Sequence, residues 1–202
     1  MKLLGSLTSP YARKARLVLL EKRLPHEFAV DPPREPGSAV PKVNPLGRVP
    51  ALLLDDGTCV FDSPVICEYL DGLTDDPVLV PRGDALARMR VRRWEALGDG
   101  IIDSAVVVRL ESLRPEAHRD AATVAVHRAA IDRALVWAAE RLEGRTFCEG
   151  DALSLGDLAL TCALLYLDLR QPERDWRGRH PALARFAARM LERPSVKATL
   201  AG

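Results

Sequence analysis

The stretch Val49-Pro50-Ala51-Leu52-Leu53-Leu54-Asp55-Asp56-Gly57-Thr58-Cys59-Val60-Phe61-Asp62-Ser63-Pro64 decides how the chain is read. Two short apolar runs, 51–54 and 58–61, flank Asp55-Asp56-Gly57. An Asp-Gly dipeptide between such runs is a strong short-range hairpin signal. A hairpin folds its ends together, so Val49-Pro50 and Asp62-Ser63 are predicted to lie side by side at one edge of a sheet. X-Pro bonds accept the cis form at small cost, and a cis Val49–Pro50 bond would aim the Val49 N–H and C=O outward. The other end offers a carboxylate, a hydroxyl and the start of a helix reaching about Leu73, capped by Ser63, with Ile66, Tyr69 and Leu70 on one face. Such a pair of ends suits a small zwitterionic peptide.

The beginning of the chain adds to this. Lys2-Leu3-Leu4-Gly5-Ser6 reads as a strand, followed by Thr8-Ser9-Pro10-Tyr11 and a helical pattern. Ser9 fits the N-cap and Pro10 the first helical position, where a missing N–H costs nothing. Tyr11, Ala15, Val18 and Leu19 form one stripe, which leaves Arg13, Lys14, Arg16 and Lys22 to solvent. A second strand is expected over 26–30, making a βαβ unit with parallel strands. With the first strand of the hairpin antiparallel to these, Ser9, Val49 and Ser63 converge. Residues 31–43 are rich in turn formers and leave room only for a short helix.

The order of Thr8-Ser9-Pro10-Tyr11-Ala12-Arg13, Asn44-Pro45-Leu46-Gly47-Arg48-Val49-Pro50 and Asp62-Ser63 resembles the glutathione-binding domain of soluble glutathione S-transferases, in a bacterial, serine-type form. A proline-bearing linker, a helical remainder and Ser154-Leu155-Gly156-Asp157 are similar to the family's second domain, so the resemblance covers essentially the whole chain. It implies an α/β thioredoxin-like domain (βαβαββα) over 1–76, a linker at 77–83 and an all-α domain over 84–202. It also implies glutathione as cosubstrate with no bound cofactor, an electrophilic small molecule as second substrate, and a homodimer. Isomerisation, dehalogenation or peroxide reduction on the same site is the nearest alternative. A non-catalytic docking protein with this fold is another.

Composition narrows the field from the other side. Lys and Arg number 29 against 28 Asp and Glu, leaving a formal net charge of +1, so no long-range field draws in nucleic acid or an anionic membrane. No apolar run approaches the roughly 18 residues of a membrane span. Met1–Thr8 is too short for a signal peptide, and a cytoplasmic location is expected. The four cysteines (59, 67, 148, 162) have no C-x-x-C spacing, and the four histidines no paired ligand spacing, so no metal site is expected. Buried free thiols are the plain reading of the cysteines.

Beyond Asp84 the periodicity is helical throughout. Trp94, Leu97, Ile101, Ala105 and Val108 make one stripe, and Val124, Ile131, Leu135, Ala138 and Leu142 a second. Leu183, Phe186, Ala187, Met190 and Leu191 make a third. Ser154-x-x-Asp157 is a capping box flanked by Leu153 and Leu158, a folding element kept out of the site. Gly98-Asp99-Gly100 sits mid-helix, where two glycines cost about 2 kcal/mol relative to alanine. Close approach by a neighbouring helix is the default reason, with a ligand or second subunit as alternatives.

By resemblance, the protein must supply a thiolate at neutral pH. A free thiol has a pKa of about 8.5, and a hydroxyl donor at a helix N-terminus lowers it by favouring the anion. A drop of about 1.5–2 units requires only ~2–3 kcal/mol. Ser9 is the candidate donor, with Thr8 as competitor, since the family's longer openings use the first hydroxyl. Capping alone is the plainer role of Ser9. Val49 would pair its main chain with the cysteinyl part of glutathione. Asp62 would hold the γ-glutamyl ammonium, Ser63 and its helix the carboxylate, and Arg48 the glycyl carboxylate. Tyr11 packs or touches the ligand. Asp99, Asp103 and Arg109, on the long helix, are candidates for second-substrate or dimer contact.

Overall fold

Lys2–Gly5 (β1) lies at the middle of a four-stranded mixed sheet whose order is β2–β1–β3–β4. Glu27–Val30 (β2) runs parallel to β1, Ala51–Leu53 (β3) antiparallel to it, and Cys59–Val60 (β4) antiparallel to β3. Pro10–Glu21 (α1), the four-residue Val40–Val43 (α2) and Ser63–Gly72 (α3) complete the order β1-α1-β2-α2-β3-β4-α3, the thioredoxin-like arrangement expected. The computed structural model describes residues 1–200. These form two units: Met1–Arg82 together with the described residues from Glu192 on, and Gly83–Leu191.

In the first unit α1 departs from the sequence reading. Ala15, Val18 and Leu19 are buried as expected, but so are Arg13, Lys14 and Lys22. Burying a charge is costly unless it is paired and hydrogen-bonded. Lys22 meets that condition: its Nζ donates to Asp71 Oδ1 at 3.0 Å, to the Thr74 carbonyl at 2.9 Å and to the Pro77 carbonyl at 2.6 Å. Asp71 in turn accepts from the N–H groups of Leu79 and Val80. Arg13 Nε donates to the Thr199 carbonyl at 3.2 Å. The partner of Arg13 lies in the chain beyond Glu192 and those of Lys22 between Asp71 and Pro77, which the local pattern around α1 does not encode. On α3 the buried set is Ser63, Ile66, Cys67, Leu70 and Asp71. Tyr69, expected on one face with Ile66 and Leu70, instead shares the outer face with Val65 and Leu73, all three exposed.

The second unit is helical: Ala85–Leu113 (α4), Ala121–Leu142 (α5), Leu155–Arg170 (α6), Trp176–Arg179 (α7) and Pro181–Leu191 (α8). Asp84 caps α4, accepting from the N–H groups of Leu86 and Ala87 at 2.9 Å each. Every residue of α6 from Leu155 to Leu167 is buried. The approach of α4 explains the glycines. A Cβ on Gly98 would come within 2.7 Å of the Ala159 carbonyl carbon, and one on Gly156 within 2.7 Å of Trp94 Cβ, whereas Gly100 faces open space. The pairs 94/156 and 98/159 advance together, so α4 and α6 run parallel.

The capping box forms as read. Asp157, wholly buried, accepts from the Ser154 N–H at 2.8 Å, the Ser154 hydroxyl at 2.6 Å and the Cys148 N–H at 2.7 Å. Burial pushes the Asp157 carboxyl up against the opposing pull of these three donors. Burial, reinforced by Asp157, also pushes the Cys148 thiol well up, so it stays protonated and inert.

Candidate active site

The strand register brings the two ends of the hairpin together. Leu4 faces Ala51, and Leu52 faces Val60. One strand step further, Ser6, Val49-Pro50 and Phe61-Asp62 meet at one end of the central strands. Because β3 lies between β1 and β4, this is a strand end and not the lateral sheet edge that the hairpin alone suggested. The Val49–Pro50 bond is cis, and Phe61–Asp62 is cis as well. The Val49 side chain packs on the small cluster of Leu4, Val40 and Ala51. Its own N–H and C=O have no partner among the described residues.

The loop that delivers Val49 is built on Asn44, whose part in the site the sequence reading did not assign. Asn44 is 1 % exposed. Its Nδ2 donates to the Arg48 carbonyl at 2.8 Å, and its Oδ1 accepts from the Leu46 N–H at 3.0 Å. Gly47 closes the turn by donating to the Asn44 carbonyl at 2.9 Å, with φ +58°, a left-handed conformation that glycine adopts freely. The signal was present: Asn-Pro followed by Gly two residues later is an Asx-turn composition. Arg48 itself points its exposed side chain at solvent.

Ser9 is the N-cap of α1, with extended backbone (φ −75°, ψ 118°) and Pro10 at the first helical position. Its Oγ accepts from the Ala12 N–H at 3.2 Å, which leaves the hydroxyl hydrogen free to donate elsewhere. The turn before it is closed by Ser9 N–H donating to the Ser6 carbonyl at 3.1 Å. Thr8 is exposed within that turn, and Tyr11 is half-buried on the first turn of α1.

At α3 the N-cap is Asp62, not Ser63 as expected, because Asp62 holds the extended backbone (φ −93°, ψ −160°) and Ser63 is already helical. The Asp62 carboxylate makes no capping hydrogen bond and is exposed. Ser63 is 2 % exposed, and its hydroxyl has no hydrogen-bond partner among the described residues. A carboxylate, a hydroxyl and an uncapped helix N-terminus therefore stand together with hydrogen-bonding capacity to spare. They match the chemistry of an amino-acid group carrying both ammonium and carboxylate.

The remaining candidates lie on α4 in the second unit: Asp99 is half-buried, Asp103 exposed, and Arg109 Nη1 lies 3.4 Å from Ser112 Oγ. All four cysteines are free, and burial raises the Cys59 thiol above its ordinary pKa. No helix among the described residues is long and apolar enough to cross a membrane.

Comparison with known proteins agrees with this architecture. Residues 8–73 match the family model "Glutathione S-transferase, N-terminal domain", and residues 101–194 match "Glutathione S-transferase, C-terminal domain". The chain belongs to the glutathione S-transferase family, and thus to a class of transferases. It is 37 % identical over 202 residues to the GST-like protein YibF of Escherichia coli K12, covering 98 % of each chain. A glutathione S-transferase from Methylobacillus flagellatus KT, solved with GSH bound, superposes with a TM-score of 0.97 at 43 % identity, covering 100 % of this chain and 99 % of that one. One from Methylobacterium radiotolerans JCM 2831, in complex with glutathione sulfonate, superposes at 0.94 with 40 % identity, covering 100 % and 95 %.

Proposed function

We propose that the strand end carrying Ser9, Val49, Asp62 and Ser63 binds glutathione and activates its thiol for attack on an electrophilic small molecule, in the service of detoxification. The observation that carries this reading is the unspent hydrogen-bonding capacity gathered there. In it, Val49 pairs its N–H and C=O with the cysteinyl unit, which places the sulfur near the start of α1. Asp62 takes the γ-glutamyl ammonium. Ser63 and the N-terminus of α3 take the neighbouring carboxylate, and Arg48 takes the glycyl carboxylate. Ser9 donates its hydroxyl hydrogen to the thiolate while its lone pair holds Ala12 N–H, so capping and activation coexist. Tyr11 supports the first turn. Thr8 remains the alternative donor.

In this reading the glutathione-binding domain spans 1–76, 77–83 is a linker, and the electrophile is taken by the helical domain that begins at 84, with Asp99, Asp103 and Arg109 on α4 as candidate contacts. A homodimer is part of the proposal. It is supported by Val65, Tyr69 and Leu73, spaced i, i+4, i+8 along the outer face of α3 and 36–52 % exposed. Four free thiols suit the reducing cytoplasm. The test is an ultraviolet titration of enzyme-bound glutathione against pH. Ser9→Ala is expected to raise the thiol pKa and lower turnover with little change in glutathione affinity, and Thr8→Ala to do so only weakly. A reversed pattern names Thr8 as the donor. No glutathione binding to the unaltered protein overturns the reading.

A further inference from the structure

We infer that the segment beginning at Glu192 is a strap that sets the position of the first turn of α1, which makes Arg13 and Glu21 positioning residues for the Ser9 hydroxyl. The inference rests on the reading of Ser9 as thiolate donor. The strap grips α1 at two places. Near the helix C-terminus, Arg193 donates from Nε and Nη2 to the two oxygens of Glu21, at 2.9 and 2.7 Å, and the Ser195 hydroxyl donates to the same carboxylate. Near the N-terminus, Arg13 Nε donates to the Thr199 carbonyl at 3.2 Å and Arg16 Nη2 to the Ala198 carbonyl at 3.1 Å.

The second grip leads directly to Ser9. The Arg13 N–H donates to the Ser9 carbonyl at 3.0 Å. Thr199 is wholly buried and anchored in its own turn, its N–H and hydroxyl both donating to the Val196 carbonyl at 3.0 Å. One arginine therefore joins a fixed carbonyl of the strap to the residue that caps α1. Mere coverage of the helix would be met by Val196, which is 0 % exposed, without a buried guanidinium. The Glu21 grip is charged at neutral pH: burial pushes that carboxyl up, but Arg193 and Ser195 outweigh it and hold it below its ordinary range.

Geometry gives these bonds leverage. Twelve residues of helix span about 18 Å, so a tilt of roughly 3° about one end moves the other by about 1 Å. A displacement of that size at a reacting centre costs on the order of a hundredfold in rate. A hydroxyl donating to sulfur is similarly sensitive to its distance.

The experiment uses the full chain with three substitutions. Arg13→Met fills the buried space without a donor, Arg13→Lys restores a donor, and Glu21→Gln removes the charge from the other grip. Each is titrated for the pKa of bound glutathione and assayed across pH. Arg13→Met is expected to raise that pKa by about one unit, cutting the thiolate about threefold at pH 7 and recovering by pH 9. Arg13→Lys should restore most of the shift, and Glu21→Gln should raise the pKa by about half a unit. If Ser9→Ala raises the pKa while Arg13→Met and Glu21→Gln lower only stability, the strap is a cover and the inference falls alone. If Ser9→Ala leaves the pKa unchanged, the reading of Ser9 fails and takes the inference with it.

Discussion

Gly98 and Gly100, two residues apart on α4, are predicted to respond to alanine with opposite sign. Alanine is favoured over glycine in a helix interior by about 0.8–1 kcal/mol, so both positions gain that much from the backbone. Gly100 faces open space, and Gly100→Ala should keep the gain. Gly98→Ala places a Cβ 2.7 Å from the carbonyl carbon and 2.8 Å from the carbonyl oxygen of Ala159, where ordinary contact begins at 3.4 Å. The shortfall is 0.7 Å, and the obstacle is the backbone of α6, which no rotamer change moves aside. The helices must part, loosening the neighbouring contact of Trp94 on Gly156. Overpacking costs about 1–3 kcal/mol, and a rigid obstacle belongs at the upper end. Net of propensity, Gly98→Ala should destabilise by about 2 kcal/mol. The two variants then differ by about 3 kcal/mol, or about 1.5 M in urea midpoint for a slope near 2 kcal/mol/M. Equilibrium urea unfolding of the three proteins measures this. Coincident midpoints, or Gly98→Ala above the parent, would refute the account of the α4–α6 approach.

Asp157→Ala removes the acceptor of two buried backbone N–H groups, those of Ser154 and Cys148, and should cost about 2–6 kcal/mol at ~1–3 per unsatisfied group, seen as a lower thermal midpoint. Asp62→Ala and Ser63→Ala should each weaken glutathione binding by about 1.5–3 kcal/mol, tenfold to over a hundredfold by calorimetry, with the fold retained because neither side chain caps α3. Unchanged affinity in both would place the ligand elsewhere.

The hairpin, the βαβ unit and the capping box were legible because each is encoded locally, by an Asp-Gly turn, by helical or alternating periodicity, and by Ser-x-x-Asp. Their order then put Ser9, Val49 and Asp62 at one strand end. What stayed hidden depended on segments distant in sequence. Arg13 and Lys22 carry every local mark of solvent-facing residues. They are buried only because Thr199 in one case, and Asp71, Thr74 and Pro77 in the other, present carbonyls and a carboxylate to them. Tyr69 was misplaced for a related reason: Ser63 and Asp71, polar by composition, occupy the inner face of α3, which turns the helix from the orientation that apolar residues alone suggest. The cap of α3 fell one residue early because Asp and Ser are nearly equal as caps, and backbone conformation decided between them.

The segment that completes the first unit is made only after the whole of the second unit. Glu192 leaves the ribosome only after the 109 residues of Gly83–Leu191, so the sheet and α1 have been synthesised long before Arg193 reaches Glu21 and Thr199 reaches Arg13. Until then Arg13, Arg16 and Glu21 lack the partners that the later segment supplies, a state open to chaperones and proteases. Excising Met1–Arg82 as a stand-alone domain would freeze that unfinished state. A recombinant version of this unit should carry the later segment grafted on through a short linker.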